Sequence, residues 1–95
     1  METKKTDENV AALIDKAEEK ISLKDFKGAT EDLKEGLKLL GDSYSSPTTI
    51  DDTGMSLALA EVQEQRGNFE LSANLRKKVL ISRLNQYRFK LSVDK

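Results

Sequence analysis

The sequence predicts a single all-α domain of about four helices, arranged as two helical hairpins with a long last helix. Apolar residues recur at spacings of three and four along most of the 95-residue chain, which is typical of amphipathic helices. Charged residues make up 35%, with five glycines and one proline, a composition that favours helices over a β-sandwich. A pattern typical of a turn followed by a helix also occurs twice in the sequence, 43 residues apart.

The first helix is predicted over residues 8–22, with residues 1–6 outside it and Thr6 or Asp7 as its N-cap. Its apolar stripe has one-sided helical spacing and consists of Val10, Leu13, Ile14, Ala17 and Ile21. The stretch Ser22-Leu23-Lys24 is predicted to be the turn that ends it.

Asp25 is predicted to cap the second helix, and Gly41 is predicted to stop it after Leu40. The apolar face of this helix consists of Phe26, Ala29, Leu33, Leu37 and Leu40. Glycine costs a helix about 1 kcal/mol relative to alanine, so Gly28 and Gly36 have two interpretations. Either a neighbouring helix approaches them closely, or the helix tolerates two weak residues.

A connector is predicted over residues 42–53, and two starts remain open for the third helix. Ser46-Pro47 places a proline in a first helical turn, and Thr53 is a second candidate cap. From Met55 onwards the pattern is firm: Met55, Leu59 and Val62 recur at helical spacing, and Ala58 and Ala60 allow close approach of a neighbouring helix. The helix is predicted to end at Arg66-Gly67.

The fourth helix is predicted from Asn68 to about Leu91. Its buried side is predicted to consist of Phe69, Ala73, Val79, Leu80, Leu84 and Tyr87. Its exposed side carries a candidate basic patch made of Arg76, Lys77, Lys78, Arg83, Arg88 and Lys90. The helix is longer than a hairpin partner needs, so its last turns must cap the stack or cover another apolar surface.

The repeated stretch resembles the turn of a tetratricopeptide repeat, a unit made of helix A, a turn and helix B. Lys24-Asp25-Phe26 is matched by Gly67-Asn68-Phe69, and Gly36-Leu37 is matched by Val79-Leu80. The basic repeat is about 34 residues. The 43-residue spacing is closer to the longer variant that resembles kinesin light chain repeats. The resemblance spans residues 10–84 and departs from the family at Ser72 and Val79, which stand where alanines are usual.

The resemblance implies repeat one over residues 8–41 and repeat two over residues 54–91, within a single domain over residues 1–95. It implies a right-handed stack of the two hairpins, whose A helices line a shallow groove for a peptide or helix of a partner protein. The candidate groove residues are Asp15, Lys16, Glu19, Lys20, Leu57, Glu61 and Gln65. The positions that hold the repeats together are predicted to be Phe26, Ala29, Leu33, Leu37, Leu59, Phe69, Ala73, Val79 and Leu80.

Two other helical modules share part of the pattern. Residues 10–40 resemble the first two helices of a MIT (microtubule interacting and trafficking) domain, and Phe69-Glu70 with Ala73 resembles the short UVR hairpin. A MIT domain has three helices, so the second Gly-Asn-Phe turn is left unexplained. All three resemblances imply a protein-binding module, which we expect to act as an adaptor or scaffold.

The composition argues against an enzyme. The chain has no cysteine and no histidine, so it lacks thiolate chemistry, the commonest general base and the commonest transition-metal ligand. Asp42, Asp51 and Asp52 lack the ligand spacing of a calcium loop. We therefore predict no catalytic residues, no cofactor and no metal site, and a protein partner in preference to nucleic acid.

The chain has no apolar run long enough to span a bilayer, and its polar start is not typical of a signal peptide. We expect an intracellular, cytoplasmic protein, or an organellar one if a targeting segment has been removed.

Charge is unevenly distributed along the chain. Residues 1–54 carry eight basic and thirteen acidic residues, and residues 55–95 carry eight basic and four acidic residues. One interpretation is self-association, in which the acidic first half of one copy meets the basic last helix of another. The other is that the two halves form one solvated bundle.

Overall fold

The structure, a computed structural model, is all-α over the part of the chain that it describes. It describes the backbone of residues 2–41 and 52–93, and the side chains of residues 6–41, 55–89 and 92. Within those ranges the chain forms four helices: α1 (Glu2–Ser22), α2 (Phe26–Leu40), α3 (Asp52–Gln65) and α4 (Phe69–Val93). The predicted fold class, with about four helices and a long last helix, is confirmed.

The first helix starts earlier than predicted. Because α1 begins at Glu2, Thr6 and Asp7 lie inside it and neither can be its N-cap. The first residues carry no apolar stripe, so periodicity alone gave no signal there. Tertiary contact supplies one reason for the extension, since Arg88 Nε of α4 donates to Asp7 Oδ1 at 2.6 Å.

The start of α3 also differs from both predicted starts. The helix begins at Asp52, so Thr53 is a helical residue and not a cap. The alternative start at Ser46-Pro47 lies outside the described residues.

The two hairpin turns use the same backbone hydrogen bonds in the 43-residue register. In the first, Asp25 N donates to Lys20 O at 2.7 Å and Lys24 N donates to Ile21 O at 3.0 Å. In the second, the equivalent bonds are Asn68 N to Gln63 O (2.8 Å) and Gly67 N to Glu64 O (3.0 Å). This is the Schellman arrangement, which requires a left-handed residue after the helix. Lys24 (φ 65°) and Gly67 (φ 86°) occupy that position.

The start and end of α2 are confirmed. Asp25 Oδ1 accepts from Gly28 N at 3.1 Å, which caps the helix, and Gly41 follows the last residue with φ 67°. Packing explains the glycine at position 36, because a Cβ at Gly36 would lie 2.6 Å from Cδ2 of Leu80 on α4. Close helix contact is therefore the interpretation that the structure supports at Gly36.

The main core is built by α1, α2 and α4. Its buried residues are Val10, Ile14, Ala17, Ala29, Leu33, Leu40, Ala73, Leu80, Leu84 and Tyr87. The predicted inner faces of α1, α2 and α4 are thereby largely confirmed. The last turns of α4 do not cap a stack: Leu84 and Tyr87 lie in the same cluster as Val10 and Ile14 of α1. The extra length of α4 therefore covers the first half of α1.

Helix α4 packs against all three other helices. It is antiparallel to α1, since Glu18 lies near Lys77 and Asp7 near Arg88. It is parallel to α2, since Lys27 lies over the ring of Phe69 and the later Gly36 meets Leu80.

Helix α3 packs against α4, and no Cα in the described part of α3 lies within 8 Å of a Cα of α1. The side-by-side A helices implied by the resemblance are therefore not seen. The reason is that α4 occupies the space beside both helices of the first hairpin.

Candidate docking face on the third helix

The apolar stripe that the sequence shows on α3 lies on the surface. Met55 is 76% exposed, Leu59 47% and Val62 42%, so Leu59, which was predicted to be a structural repeat position, is not buried. The three residues follow one another at spacings of four and three and so share one face of the helix. We call Met55, Leu59 and Val62 the outer face.

The equivalent positions in the first hairpin are polar or small. Counting back 43 residues from the outer face gives Ala12, Lys16 and Glu19, all of which are exposed on α1. Both hairpins thus turn the same positions to solvent. Only the second hairpin places large apolar side chains there.

The opposite side of α3 faces α4. Ala60 is fully buried and Leu57 is half-buried, and they stand 43 residues after Ala17 and Ile14, two of the buried residues of α1. Aligning α3 with α1 at the 43-residue spacing of the two turns would therefore have identified the inner side of α3. The sequence pattern named Ala60 as a position of close approach but placed the large apolar residues of the other side in the same stripe, because α3 is apolar on both sides.

An ion-pair network fixes this orientation of α3. Arg76 is 6% exposed, and its Nη1 donates to Glu64 Oε1 at 2.5 Å and to Ser72 Oγ at 2.7 Å. Lys34 Nζ of α2 donates to the other oxygen of Glu64, at 3.1 Å. Glu64 therefore joins three helices, and rotating α3 to bury its outer face would leave the buried guanidinium without this partner.

The same network sets the protonation of Glu64. Burial raises the pKa of this carboxyl, but the hydrogen bonds from Lys34 and Arg76 and their positive charges outweigh burial and hold the pKa below its ordinary value. The carboxylate is therefore ionised when it bridges the two hairpins.

The candidate groove residues are not brought together. Asp15, Lys16 and Glu19 lie on the exposed side of α1, while Glu61 and Gln65 lie on the exposed side of α3, which does not pack against α1. Leu57 and Lys20, the remaining two, have other roles. Leu57 is half-buried on the inner side of α3.

Lys20 forms an ion pair within the first hairpin. Its Nζ lies 2.8 Å from Asp32 Oδ2. The hydrogen bond to Asp32 raises the pKa of Lys20, with burial acting in the opposite direction.

The candidate basic patch is also dispersed. Arg76 is buried instead of exposed, because it serves the α3–α4 interface. Lys77 lies 3.7 Å from Glu18 and Arg88 lies 2.6 Å from Asp7, so both face the acidic first helix. Lys78 is exposed and Arg83 is half-buried, while the Lys90 side chain lies outside the described residues.

The remaining structural repeat positions are mostly inside. Buried positions are Ala29, Leu33, Ala73, Val79 and Leu80, and half-buried positions are Phe26, Leu37 and Phe69. The two phenylalanines that mark the repeated turn thus lie at the edge of the core and not at its centre.

A cleft of about 420 Å³ separates α2 from the turn between α3 and α4. It is lined by Lys27, Thr30, Glu31, Lys34, Glu64 and Phe69. Its polar groups largely serve the protein itself: Lys34 binds Glu64, Thr30 Oγ1 donates to Phe26 O at 2.8 Å, and Lys27 lies over Phe69. We therefore interpret the cleft as the joint between the hairpins.

In the described part of the chain, no group of three or more acidic side chains is placed to hold a metal ion. The Asp42, Asp51 and Asp52 side chains lie outside the described residues. Nor does any helix in the described ranges have the length and apolar character needed to cross a membrane.

Comparison of the chain with protein-family models, with curated proteins and with solved structures finds no match. The resemblance to tetratricopeptide repeats therefore depends on the sequence pattern alone.

Proposed function

We propose that this protein is a non-enzymatic interaction module, an adaptor that binds a peptide or helix of a partner protein through the outer face of α3. The observation that carries the proposal is the exposure of Met55, Leu59 and Val62 in one row. Contiguous apolar surface of this kind in a small protein is typical of an interaction site.

The internal comparison strengthens the proposal. Lys16 and Glu19 show that the chain can place charged side chains at the equivalent exposed positions of a very similar hairpin. Burying an apolar side chain of this size in an interface contributes about 1.5–3 kcal/mol. Leu59 and Val62 are half-covered already, so the gain for each is a fraction of that value.

The proposal moves the binding surface away from the groove between A helices. That groove requires α1 and α3 to be neighbours, and they are not. A MIT-like trafficking module is an alternative of the same functional class.

Self-association between acidic and basic halves has less support. Asp7 and Glu18 already pair with Arg88 and Lys77 within one chain. The two halves therefore neutralise each other inside the bundle, at least in part.

Site-specific photo-crosslinking tests the proposal. A photoreactive amino acid is placed at Leu59 in one variant and at Lys16, the equivalent exposed position, in a second. We expect a heterologous protein adduct from position 59 and none from position 16. We also expect the Val62→Lys change to abolish the adduct without unfolding the domain, as judged by circular dichroism.

Equal adducts from both positions, or an adduct that survives Val62→Lys, would show that the outer face is not the binding surface. An adduct with twice the mass of the chain would instead identify a second copy as the occupant.

A further inference from the structure

We infer that α3 opens away from α4 as a separate unit, with Glu64 as its latch, while α1, α2 and α4 stay folded as a three-helix bundle. The inference goes beyond the proposed function and does not depend on it. Two observations lead to it: the main apolar core includes no residue of α3 among the described side chains, and a polar network joins α3 to its neighbours.

Apolar burial ties α3 only weakly to the rest of the molecule. The buried residues of the main core come from α1, α2 and α4. Ala60 is the one buried side chain among those described in α3, and Leu57, three residues earlier, is half-buried. Because hydrophobic stabilisation scales with the apolar area removed from water, a single methyl group and half a leucine contribute little. Undocking α3 would therefore leave the main core intact.

The side of α4 that α3 covers is largely polar. Arg76 and Ser72 lie on it, since Arg76 Nη1 donates to Glu64 Oε1 of α3 and to Ser72 Oγ. Val79, three residues after Arg76, lies on the same side of α4 and is buried without belonging to the main core. This row holds a guanidinium, a hydroxyl group and one apolar side chain, so exposing it to water costs less than exposing an apolar face.

Glu64 is the point at which ion pairs join α3 to two other helices. It accepts from Arg76 of α4 and from Lys34 of α2, although no Cα in the described part of α3 lies within 8 Å of a Cα of α2. Next to it, Gln63 Oε1 accepts from Asn68 Nδ2 at 2.7 Å, in the turn that follows the helix. Glu64 thus acts as a latch close to the turn, because losing its pairs removes the link to both neighbours at once.

The turn after α3 supplies a hinge. Hinges are a few loop or element-terminal residues that absorb a change in backbone angles. Gly67 stands in this turn, and no atom of the described residues lies within 4 Å of the position that a Cβ would take there. At the other end of α3, residues 42–51 connect it to α2, and a chain of this length can span up to about 33 Å. Chain length therefore permits α3 to leave α4.

Opening changes the apolar surface that α3 offers to solvent. In the closed state α4 covers the inner side, with Leu57 and Ala60, while the outer face is exposed. In the open state apolar residues on both sides of α3 become accessible. The latch therefore controls access to the inner side and leaves the outer face accessible in both states.

Amide hydrogen exchange, measured residue by residue by NMR on the intact chain, tests the inference. Helix α3 has 14 residues, and an isolated helix of that length is marginal in water, so its amides exchange once it leaves α4. We expect protection factors around Ala60 to be at least about tenfold lower than those around Leu33. Equal protection at the two places, with the same dependence on urea, would show that α3 opens only when the whole domain unfolds and would overturn the inference.

A core variant separates local opening from global unfolding. Leu33 packs in the core that stays intact when α3 opens. Leu33→Ala should therefore lower the protection of core amides by at least about tenfold and leave the protection around Ala60 unchanged. Leu33→Val, a smaller truncation, provides the same comparison if Leu33→Ala does not fold. An equal fall in protection at both places would refute separate opening.

Two basic residues of α4 form a matched pair that tests the latch. Arg76→Ala removes the buried partner of Glu64, whereas Lys78→Ala removes an exposed lysine two residues later. We expect protection around Ala60 to fall about tenfold in Arg76→Ala and to stay unchanged in Lys78→Ala. The same protection in both variants would refute Glu64 as the latch. Circular dichroism checks that each variant keeps its helix content.

Discussion

The two hairpins have turns with the same backbone geometry, but the side chains on their outer and inner surfaces differ. Lys24 and Gly67 hold the same left-handed position, and the hydrogen bonds around them match. Yet Lys16 on the outer side of the first hairpin is replaced by Leu59 in the second, and Leu33 on the inner side is replaced by Arg76. The backbone geometry is thus repeated. At these two positions, however, the first hairpin has a charged residue outside and an apolar residue inside, and the second hairpin has the reverse.

This exchange explains why the hairpins have different roles. The first hairpin buries Leu33 in the main core and keeps its outer positions polar. The second holds its helices together partly through a buried arginine, and its outer face remains apolar. We therefore expect stability to depend mainly on the first hairpin with α4, and binding to depend mainly on α3.

The largest expected effect comes from Leu33→Ala. Leu33 is fully buried among α1, α2 and α4, so truncation should lower the free energy of unfolding by about 2–5 kcal/mol. Urea denaturation followed by circular dichroism measures the loss. A loss below 1 kcal/mol would contradict the placement of the core in the first hairpin.

Arg76 stands at the position of the second hairpin that is equivalent to Leu33. Arg76→Ala should lower the free energy of unfolding by less than Leu33→Ala does, about 1–3 kcal/mol. It removes the partner of Glu64 but leaves Lys34 to pair with that carboxylate. Arg76→Met keeps an apolar stem of similar length and should cost less than Arg76→Ala. Equal losses for the two variants in urea denaturation would show that the ion pair, and not packing, dominates.

Substitutions at the two turns should change the free energy of unfolding by about 1 kcal/mol, in opposite directions. Gly67→Ala forces a Cβ into the left-handed region and should destabilise the protein by about 1–2 kcal/mol, although no atom lies within 4 Å to clash with it. Lys24→Gly relieves the same strain in the first turn and should stabilise by up to about 1 kcal/mol. Thermal unfolding of both variants checks the signs, and a destabilising Lys24→Gly would contradict the equivalence of the turns.

Acid should weaken the joint between the hairpins. The Glu64 pKa is lower in the folded chain than its ordinary value of 4.5. Its contribution to stability is therefore complete above that value and is lost as the pH falls through the folded pKa. Urea midpoints of the wild type and Glu64→Gln between pH 6 and pH 3 test this: the wild type should lose more stability in the acid range, and parallel curves would contradict it.

The smallest effect on stability should come from Leu59→Lys. The side chain is about half-exposed, so the free energy of unfolding should change by no more than about 0.5 kcal/mol. The same change should remove peptide binding at the outer face. Strong destabilisation by Leu59→Lys would place this residue in the core, where the sequence pattern first put it.

Particular residues show how far the sequence could predict the structure. Asp25 and Gly41 bound α2 as local capping rules require, because a cap depends on a few neighbouring atoms. The start of α1 was missed because its first residues carry no apolar stripe and because Asp7 is held by Arg88, a residue 81 positions away. The inner side of α3 was missed because short-range periodicity cannot rank two apolar faces.

The sequence by itself determined the number of helices, the two repeated turns and most of the inner faces of α1, α2 and α4. These follow from apolar spacing and from local hydrogen bonds. Only the tertiary structure decided that α4 lies beside both helices of the first hairpin, that Arg76 turns inwards, and that Met55, Leu59 and Val62 turn outwards. The physical reason is that a buried guanidinium requires its carboxylate, and Glu64 offers one only when the outer face of α3 points to solvent.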